Sequence, residues 1–364
     1  MSEEEVRERE RETGRVGGWT CSTRHHFSFL TPSHALVAKR VAPPPAARSD
    51  DIGHARKVDS YVAESEFYRT VAPALLALPP ADVPLVGRPY LVLEEEGALT
   101  TGRKGAPPPP PITTLVLQDL RPSHPVFPRG GLSKPQLAAA LRWLAAFHSA
   151  FWGFQDPSMP HPPITPPPLL ARREGTYWHL ATRPDELAAI RGDREWGALA
   201  DAAPGIAADL AAGAAGPHGT LVHGDAKAAN FCFTGDGSHA AAFDFQYVGS
   251  GLGARDVAYL LCSAGGAREI GTGVGGEAKW LDLYYEALAP RLAARGVPVG
   301  SGSSGEPGGG GPPSTPPYTR SLLQSHYDLS AADFFRFMAG WGTWGAADAF
   351  AGVARQVVAE RGKR

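Results

Sequence analysis

The sequence lacks the features of several protein classes. Its three cysteines, Cys21, Cys232 and Cys262, form no CxxC pair, so neither a zinc site nor a disulfide framework is indicated. No apolar run approaches the roughly 20 residues that a membrane span needs, and the charged opening MSEEEVRERERE is unlike a secretory signal. The net charge of −2 argues against a nucleic-acid or membrane-surface protein. We therefore expect a cytoplasmic chain with reduced thiols, and no obligate protein partner is implied.

Glycine and proline are abundant, and they are concentrated in a few stretches of low complexity. Since proline removes a backbone donor and glycine is entropically costly to order, such stretches are poor core material. We predict a proline-rich insert at 105–111, a proline-rich surface loop at 157–168 and a disordered Gly/Pro/Ser insert at 298–318. Residues 1–12 are predicted to be a charged tail.

Hydrophobic periodicity divides the rest of the chain into two regions. The first is predicted to be rich in strands, at 25–31, 34–41, 89–96 and 113–120, with one helix at 60–72. The second is predicted to be mainly helical, at 133–153, 254–264, 279–296 and 332–360, with a strand at 241–248. These patterns predict an α+β fold with an N-terminal lobe over 13–120, a C-terminal lobe over 121–360 and a ligand cleft between them.

One stretch, LVHGDAKAANFCF at 221–233, carries the residue types that phosphoryl transfer needs. Asp225 and Asn230 are five residues apart, as in the kinase loop H-R-D-x-x-x-x-N, with Gly224 in place of the arginine. Asp244 follows Asn230 by fourteen residues in FDFQ. A carboxylate and an amide oxygen suit Mg²⁺. Taken alone, Asp225 and Asn230 are equally consistent with turn residues that bond their own backbone.

The order HGDxxxxN and then DF resembles the kinase-like small-molecule phosphotransferases, which include the aminoglycoside and choline kinases. The forms HGDAKxxNFCF and DFQYVGSGLGARDVAYLL are most similar to the ecdysteroid-kinase-like (CHK-like) group. The resemblance is strongest over 220–262. It implies a two-lobed protein-kinase-like fold, with an antiparallel sheet in the N-lobe and a mainly helical C-lobe. It also implies ATP and Mg²⁺ as cofactors and a small-molecule alcohol as acceptor.

The resemblance implies roles for the residues around this motif. Asp225 would be the catalytic base, or the group that orients the acceptor hydroxyl, and Lys227 would approach the γ-phosphate. Asn230 and Asp244 would hold Mg²⁺. Two further residues would brace the loop rather than react, namely His223 and Asp256.

The resemblance also implies a nucleotide-binding set in the N-terminal region. Lys39 in LVAKRV would hold the α- and β-phosphates, and Glu64, on the aromatic stripe of the predicted helix, would pair with it. A lone lysine in a strand is more often a solvated edge residue, and Glu64 could instead pair with a surface arginine. Gly17 and Gly18 would lie in the phosphate-covering loop, although TGRVGGWTCSTRHHF does not spell GxGxxG. The hinge that bonds adenine would be formed by Gln118, Asp119 and Leu120.

The leading hypothesis is an ATP-dependent phosphotransferase that acts on a hydroxyl of a small molecule. The imperfect glycine loop favours an alternative, a catalytically weak or inactive pseudokinase-like scaffold that binds nucleotide. A protein kinase is disfavoured, because Asp256 follows Asp244 by only twelve positions and no A-P-E element follows.

The sequence does not choose the acceptor. Choline-type acceptors need aromatic residues with carboxylates, aminoglycosides an acidic pocket and sterol-like alcohols an apolar one. The stretch YWHLATRPDE offers Tyr177, Trp178 and Arg183, which either reach the acceptor or pack internally. A core position is expected for His148 and for the pair Trp341 and Trp344.

Overall fold

A computed structural model describes residues 24–30, 35–43, 52–95, 110–264, 276–300 and 316–363. The chain divides into two compact units, residues 1–61 with 88–119 and residues 62–87 with 120–364. The predicted tail, Gly17, Gly18, most of 105–111 and most of 298–318 lie outside the described residues.

The first unit contains a four-stranded antiparallel sheet in the order β1-β2-β4-β3. Its strands are β1 Arg24–Leu30, β2 Ala35–Val41, β3 Pro89–Glu95 and β4 Ile112–Gln118. Every second residue of β4 is buried, as expected because successive side chains point to opposite faces of a sheet. The four strands predicted in this region are confirmed to within two residues at each end.

The helical segment predicted at 60–72 extends beyond both of its predicted ends. Helix α1 spans Ile52–Glu66. A π-helical turn at Phe67–Val71 and the short helix α2 at Ala72–Leu76 follow it. Single-turn π segments of this kind are frequent at functional sites. Here the turn buries its aromatic residues Phe67 and Tyr68.

The second unit is mainly helical, as predicted. Its helices are α3 Lys134–Phe151, α4 Pro168–Arg172, α5 Pro184–Ile190, α6 Gly197–Ala215, α7 Ala254–Ala264, α8 Ala278–Ala293, α9 Arg320–Trp341 and α10 Ala347–Arg361. Two 3₁₀ turns lie at Leu180–Thr182 and Ala228–Asn230. No described helix is both long and apolar enough to cross a membrane.

Local signals account for the ends of two helices. Ser133 and Gln136 form a capping box that begins α3, and Gly153 follows its end with φ +74°. The single helical stretch predicted at 332–360 is broken between α9 and α10. Gly342 and Gly345 adopt φ values of +143° and +62° there, which other residues rarely tolerate.

Short antiparallel pairs in the second unit position the loop of interest. Strand β5 at Gly219–Val222 pairs with β8 at Gly249–Leu252, and β6 at Phe231–Phe233 pairs with β7 at Ala240–Ala242. A two-residue parallel pair, β9 Val299–Gly300 with β10 Tyr318–Thr319, lies farther along the chain.

Two local predictions for this unit need correction. The strand predicted at 241–248 ends at Ala242, because Asp244 has φ +67° and leaves the extended conformation. The stretch at 157–168 is irregular up to the start of α4, but it is not wholly a surface loop. Its apolar side chains Met159 and Ile164 are buried.

Candidate active site

The loop at 223–230 joins β5 to β6 and makes a tight turn at its start. Gly224 has φ +78°, and a side chain there would collide with the carbonyl oxygen of Tyr247 and the amide nitrogen of Thr176. Only glycine allows this approach of backbone to backbone. The glycine in place of the arginine of the kinase loop therefore has a packing reason.

Asp256, in the first turn of α7, accepts hydrogen bonds from this loop. It is fully buried. Its Oδ2 accepts from the backbone N–H of His223 at 2.6 Å, and its Oδ1 accepts from that of Gly224 at 2.9 Å. His148 Nε2 donates a third bond to Oδ2 at 3.1 Å, and His148 Nδ1 accepts from the Tyr284 hydroxyl at 2.7 Å. Hydrogen bonds to a carboxylate are among the stronger ones in proteins, so this group fixes the loop to α3 and α7.

His223 links the loop to the segment after β7. Its Nε2 lies 3.1 Å from the carbonyl oxygen of Phe243, and its Nδ1 lies 3.3 Å from the backbone nitrogen of Asp225. A neutral ring with its proton on Nε2 satisfies both bonds. Burial lowers the pKa of His223 and favours that neutral form, despite the nearby carboxylates. The imidazole therefore orients the loop with both nitrogens engaged.

The two carboxylate oxygens of Asp225 have different surroundings. Oδ2 accepts from Lys227 Nζ at 2.8 Å and from Asn230 Nδ2 at 2.9 Å. Oδ1 is buried and has no partner with good hydrogen-bond geometry among the described residues, while the Tyr259 phenol donates only a weaker bond to this carboxylate. Burial raises the pKa of Asp225 above the usual aspartate range; the charge of Asp244 adds to the shift, and Lys227 opposes it. The site therefore holds one fixed and one open carboxylate oxygen.

Lys227 combines an ion pair with partial exposure. Its side chain is 33% exposed, whereas that of Asp225 is 6% exposed. Burial lowers the pKa of Lys227, but the carboxylates of Asp225 and Asp244 outweigh that effect and the net shift is upward. A fixed positive charge therefore stands beside the open carboxylate oxygen.

Asn230 and Asp244 lie at the same end of the β6–β7 hairpin. Phe231 pairs with Ala242, and the backbone N–H of Phe243 donates to the carbonyl oxygen of Asn230 at 3.1 Å. Asn230 Nδ2 donates to both the carbonyl and the carboxylate of Asp225, so its oxygen is left for another partner. Within the described ranges, no group of three or more His, Cys, Asp or Glu residues could hold a metal. A mixed carboxylate and amide pair still fits Mg²⁺, which usually takes its other ligands from water and phosphate oxygens.

The backbone at Asp244 is strained and is held by aromatic packing. Its φ of +67° is uncommon for an aspartate, and such positions cluster at functional sites. The next residue, Phe245, is fully buried and stacks on Phe67 of the π-helical turn with ring centroids 3.6 Å apart. This stacking holds the turn that presents Asp244.

Three of the predicted nucleotide-binding residues lie in the first unit. Lys39 is 7% exposed on β2, opposite Leu115 of β4. It is therefore not a solvated edge residue, which was the alternative interpretation. The backbone N–H groups of Gln118 and Asp119 donate within this unit, to the carbonyl oxygens of Arg88 and Ala35. The nucleotide contacts of these residues remain predictions.

Two more of these predicted residues lie in the second unit, and Gly17 and Gly18 are outside the described residues. Glu64 is 2% exposed. The pKa of Tyr68 is raised mainly by burial of the phenol and then by the charge of Glu64. Glu64 therefore points inward, as its place on the aromatic stripe predicts. Leu120 is buried in a small cluster with Cys232 and Ala241. The roles of Glu64 and Leu120 toward a nucleotide also remain predictions.

Some neighbours of this site were left unresolved or missed by sequence reasoning. Tyr259 lies in the motif RDVAYLL, three residues after Asp256, and that spacing places both on one face of a helix. Trp178 is fully buried and packs internally. The expectation that Trp341 and Trp344 belong to the core is wrong, since they are 53% and 37% exposed. Trp341 ends α9, and Trp344 lies within the glycine break before α10, which periodicity did not predict.

The sequence model of the phosphotransferase enzyme family (APH) matches residues 35–291. That range is well over half of the 364 residues. The chain belongs to this family. As a member, the chain is a small-molecule phosphotransferase, and its loop at 223–230 lies within the matched range. A search of curated protein sequences found no match.

Several solved structures of kinases match this chain over most of its length. Amicoumacin kinase hAmiN, solved with AMP-PNP, Ca²⁺ and Ami, is 11% identical, with 99% of this chain and 96% of that one covered and a TM-score of 0.47. Aminoglycoside phosphotransferase APH(3'')-Id from Streptomyces rimosus is 14% identical, with coverage of 86% and 92% and a TM-score of 0.40. Choline kinase LicA from Streptococcus pneumoniae is 11% identical, with coverage of 96% and 92% and a TM-score of 0.43.

Proposed function

We propose that this phosphotransferase transfers the γ-phosphoryl group of ATP to a hydroxyl of a small molecule, with Asp225 as the base. One observation carries the proposal. Asp225 Oδ2 is held by Lys227 and Asn230, whereas Oδ1 is buried without a well-formed hydrogen bond from any of the described residues. Such an oxygen on a carboxylate of raised pKa is an acceptor for a substrate proton.

The chain's own residues account for the proton and the charge in this reaction. The acceptor hydroxyl donates a hydrogen bond to Asp225 Oδ1, and its oxygen attacks the γ-phosphorus. The bond from that phosphorus to the ADP oxygen breaks, and the hydroxyl proton passes to Asp225. Lys227 offsets negative charge on the transferring group. Asp225 acts as a base and not as a nucleophile, so no covalent enzyme intermediate forms.

Mg²⁺ would be held by Asn230 and Asp244. When bound, the metal supplies neutralisation of charge on the β- and γ-phosphates. The amide oxygen of Asn230 is available because both hydrogen bonds of its Nδ2 go to Asp225. The strained turn at Asp244 is the feature that supports a ligand role for its carboxylate. We keep Lys39, Glu64 and the segment 118–120 as the predicted nucleotide contacts.

Two finer assignments accompany this proposal. The motif forms HGDAKxxNFCF and RDVAYLL favour the ecdysteroid-kinase-like (CHK-like) branch of the family. A cytoplasmic location remains a prediction from the three widely spaced cysteines, which form no CxxC pair.

The test is a product assay by ³¹P NMR, in which ATP, Mg²⁺ and a panel of alcohols are incubated with the full chain. We expect a phosphomonoester signal to appear together with ADP. The variant Asp225→Asn keeps the shape of the side chain but removes the base, and it should lower the rate at least about 100-fold. Asp348→Asn, at an exposed position of α10, is the matched control and should keep the wild-type rate. Equal rates for Asp225→Asn and wild type would refute the base assignment, and no ester from any alcohol would favour the scaffold alternative.

A further inference from the structure

An aromatic surface extends from the candidate active site to solvent within the second unit. We define the aromatic wall as Tyr177, Arg183, Tyr259, Phe337 and Trp341. Ring centroids are 5.6 Å apart for Tyr177 and Tyr259, 5.4 Å for Tyr177 and Phe337, and 5.7 Å for Phe337 and Trp341. Tyr259 and Phe337 are 2% exposed, whereas Trp341 is 53% exposed. The wall is therefore anchored in the core at one end and open at the other.

Helix α7 directs Tyr259 toward the catalytic loop. Asp256 and Ser263, three residues before and four after Tyr259, both bond this loop. Asp256 accepts from its first two amides, and Ser263 Oγ accepts from the N–H of Ala228 at 3.1 Å. Residues at these spacings share one helix face, so Tyr259 faces the same loop. In agreement, the charge of Asp225 adds to the effect of burial in raising the pKa of the Tyr259 phenol.

Backbone packing brings Tyr177 to the same place. The residue before it, Thr176, donates its N–H to the carbonyl of Tyr247 at 3.1 Å, and both groups lie against Gly224. Tyr177 follows Thr176 in the chain and Asp225 follows Gly224, so the close approach of Thr176 to Gly224 brings Tyr177 near Asp225. Burial, and then the charge of Asp225, raises the pKa of the Tyr177 phenol. The two tyrosines of the wall therefore border the proposed base.

Arg183 lies among the rings of the wall. Its guanidinium carbon is 5.4 Å from the ring centroid of Tyr177, 4.9 Å from that of Phe337 and 5.3 Å from that of Trp341. Arg183 is 7% exposed and pairs with the buried Glu186, its Nη1 lying 3.1 Å from Oε1. The protein's own cation therefore already lies beside these rings, and a cationic ligand that approached them would meet its positive charge. The nearby carboxylate is already committed to that cation.

We propose that the aromatic wall binds the body of the acceptor and selects an uncharged alcohol with a flat apolar body over a cationic one. The inference rests on the proposed function, which places the acceptor hydroxyl at Asp225. From there the rest of the acceptor extends toward the exposed end of the wall, at Trp341. Flat apolar groups stack on exposed rings such as Trp341. A quaternary ammonium or a polyamine at the exposed end of the wall would meet the positive charge of Arg183, and Glu186, the carboxylate beside it, is already paired with that charge.

The first test is direct binding to the full chain without nucleotide, measured by calorimetry. The probes are uncharged aryl and polycyclic alcohols, beginning with 2-(2-naphthyl)ethanol, compared with choline and kanamycin. We expect the best uncharged alcohol to bind at least ten-fold more tightly than either cation. Trp341→Ala should weaken it at least ten-fold, whereas Leu169→Ala, at a 45% exposed apolar position of α4, should not. Binding of a cation as tight as that of the uncharged alcohols, no binding of any uncharged alcohol, or no effect of Trp341→Ala would overturn the inference.

A second variant tests the charge itself. Arg183→Met together with Glu186→Gln removes both partners, so no buried charge is left alone. The ratio of choline affinity to naphthyl-ethanol affinity should rise at least five-fold, a change in selectivity that loss of packing alone does not produce. An unchanged ratio in a folded double variant would refute the role of Arg183. If that variant does not fold, the exposed position Trp341 still decides the inference.

The two proposals fail in different ways. Phosphorylation of choline or kanamycin in preference to every uncharged alcohol would overturn the selectivity and leave phosphoryl transfer intact. Binding of uncharged alcohols through Trp341 with no phosphate ester formed would support the wall and refute the proposed transfer.

Discussion

The hydrogen bonds of Asp256 predict a large loss of stability on a nearly isosteric change. The carboxylate accepts from two loop amides and from His148, all buried. In Asp256→Asn the amide nitrogen cannot accept a hydrogen bond, so it takes the place of Oδ1, the oxygen with only one donor. The bond from the N–H of Gly224 is then lost. A hydrogen bond to a charged group contributes about 1.5–3 kcal/mol, and the two bonds that remain become neutral and weaker by about 1 kcal/mol each. We therefore expect a loss of about 4 kcal/mol, a large part of the roughly 5–15 kcal/mol of a typical domain.

Urea unfolding of the full chain, followed by circular dichroism, measures this loss. Asp201→Asn, at an exposed position of α6, is the matched control and should change stability by less than about 0.5 kcal/mol. The same preparation should also lose phosphoryl transfer, because the bonds at His223 and Gly224 position the loop that carries Asp225. An Asp256→Asn protein within about 0.5 kcal/mol of wild type would refute the view that Asp256 holds the loop.

Two further predictions concern the loop and its base. Gly224→Ala should abolish activity and destabilise the fold by more than Gly192→Ala. Both glycines have positive φ, but only a side chain at 224 would collide with neighbouring backbone, so Gly192→Ala should lower the free energy of unfolding by only about 1–2 kcal/mol. Equal losses of stability in urea unfolding would contradict this expectation. The pKa of Asp225 is raised by burial, so activity should fall on acidification at a pH above the usual aspartate range, because the base is protonated as pH falls through that raised pKa. Lys227→Gln removes an opposing charge and should move this acid limb of kcat/KM to still higher pH, whereas a limb at the ordinary aspartate value in both proteins would contradict the assignment.

Local patterns predict most of the secondary structure and the residues of the loop. The strands of the first unit are two residues or less from their predicted ends, and α7 has the bounds predicted for it. Helix α3 begins at the capping box that Ser133 indicated. These features depend on side-chain period and on capping groups, which lie close together in the sequence.

The features that periodicity did not predict depend on tertiary contacts. The π-helical turn and the positive φ of Asp244 are held by the stacking of Phe67 on Phe245, residues far apart in the chain. His148 is a satisfied core histidine, as expected, but its bond to Asp256 joins residues 108 positions apart. The exposure of Trp341 follows from the glycine break after it. No local pattern carries this information.

The most direct test of the central claim is a thermal-shift titration with ATP, with and without Mg²⁺, on wild type and on Asp244→Asn. Asparagine tolerates positive φ, so the variant should keep the turn and melt like wild type without ligand. ATP at 100 times its Kd adds about 2.7 kcal/mol of stability, which raises the melting temperature by several degrees. The account predicts a rise in wild type that needs Mg²⁺ and is lost in Asp244→Asn. A rise without Mg²⁺ dependence, an equal rise in Asp244→Asn, or no rise at all would contradict a magnesium-nucleotide site at this loop.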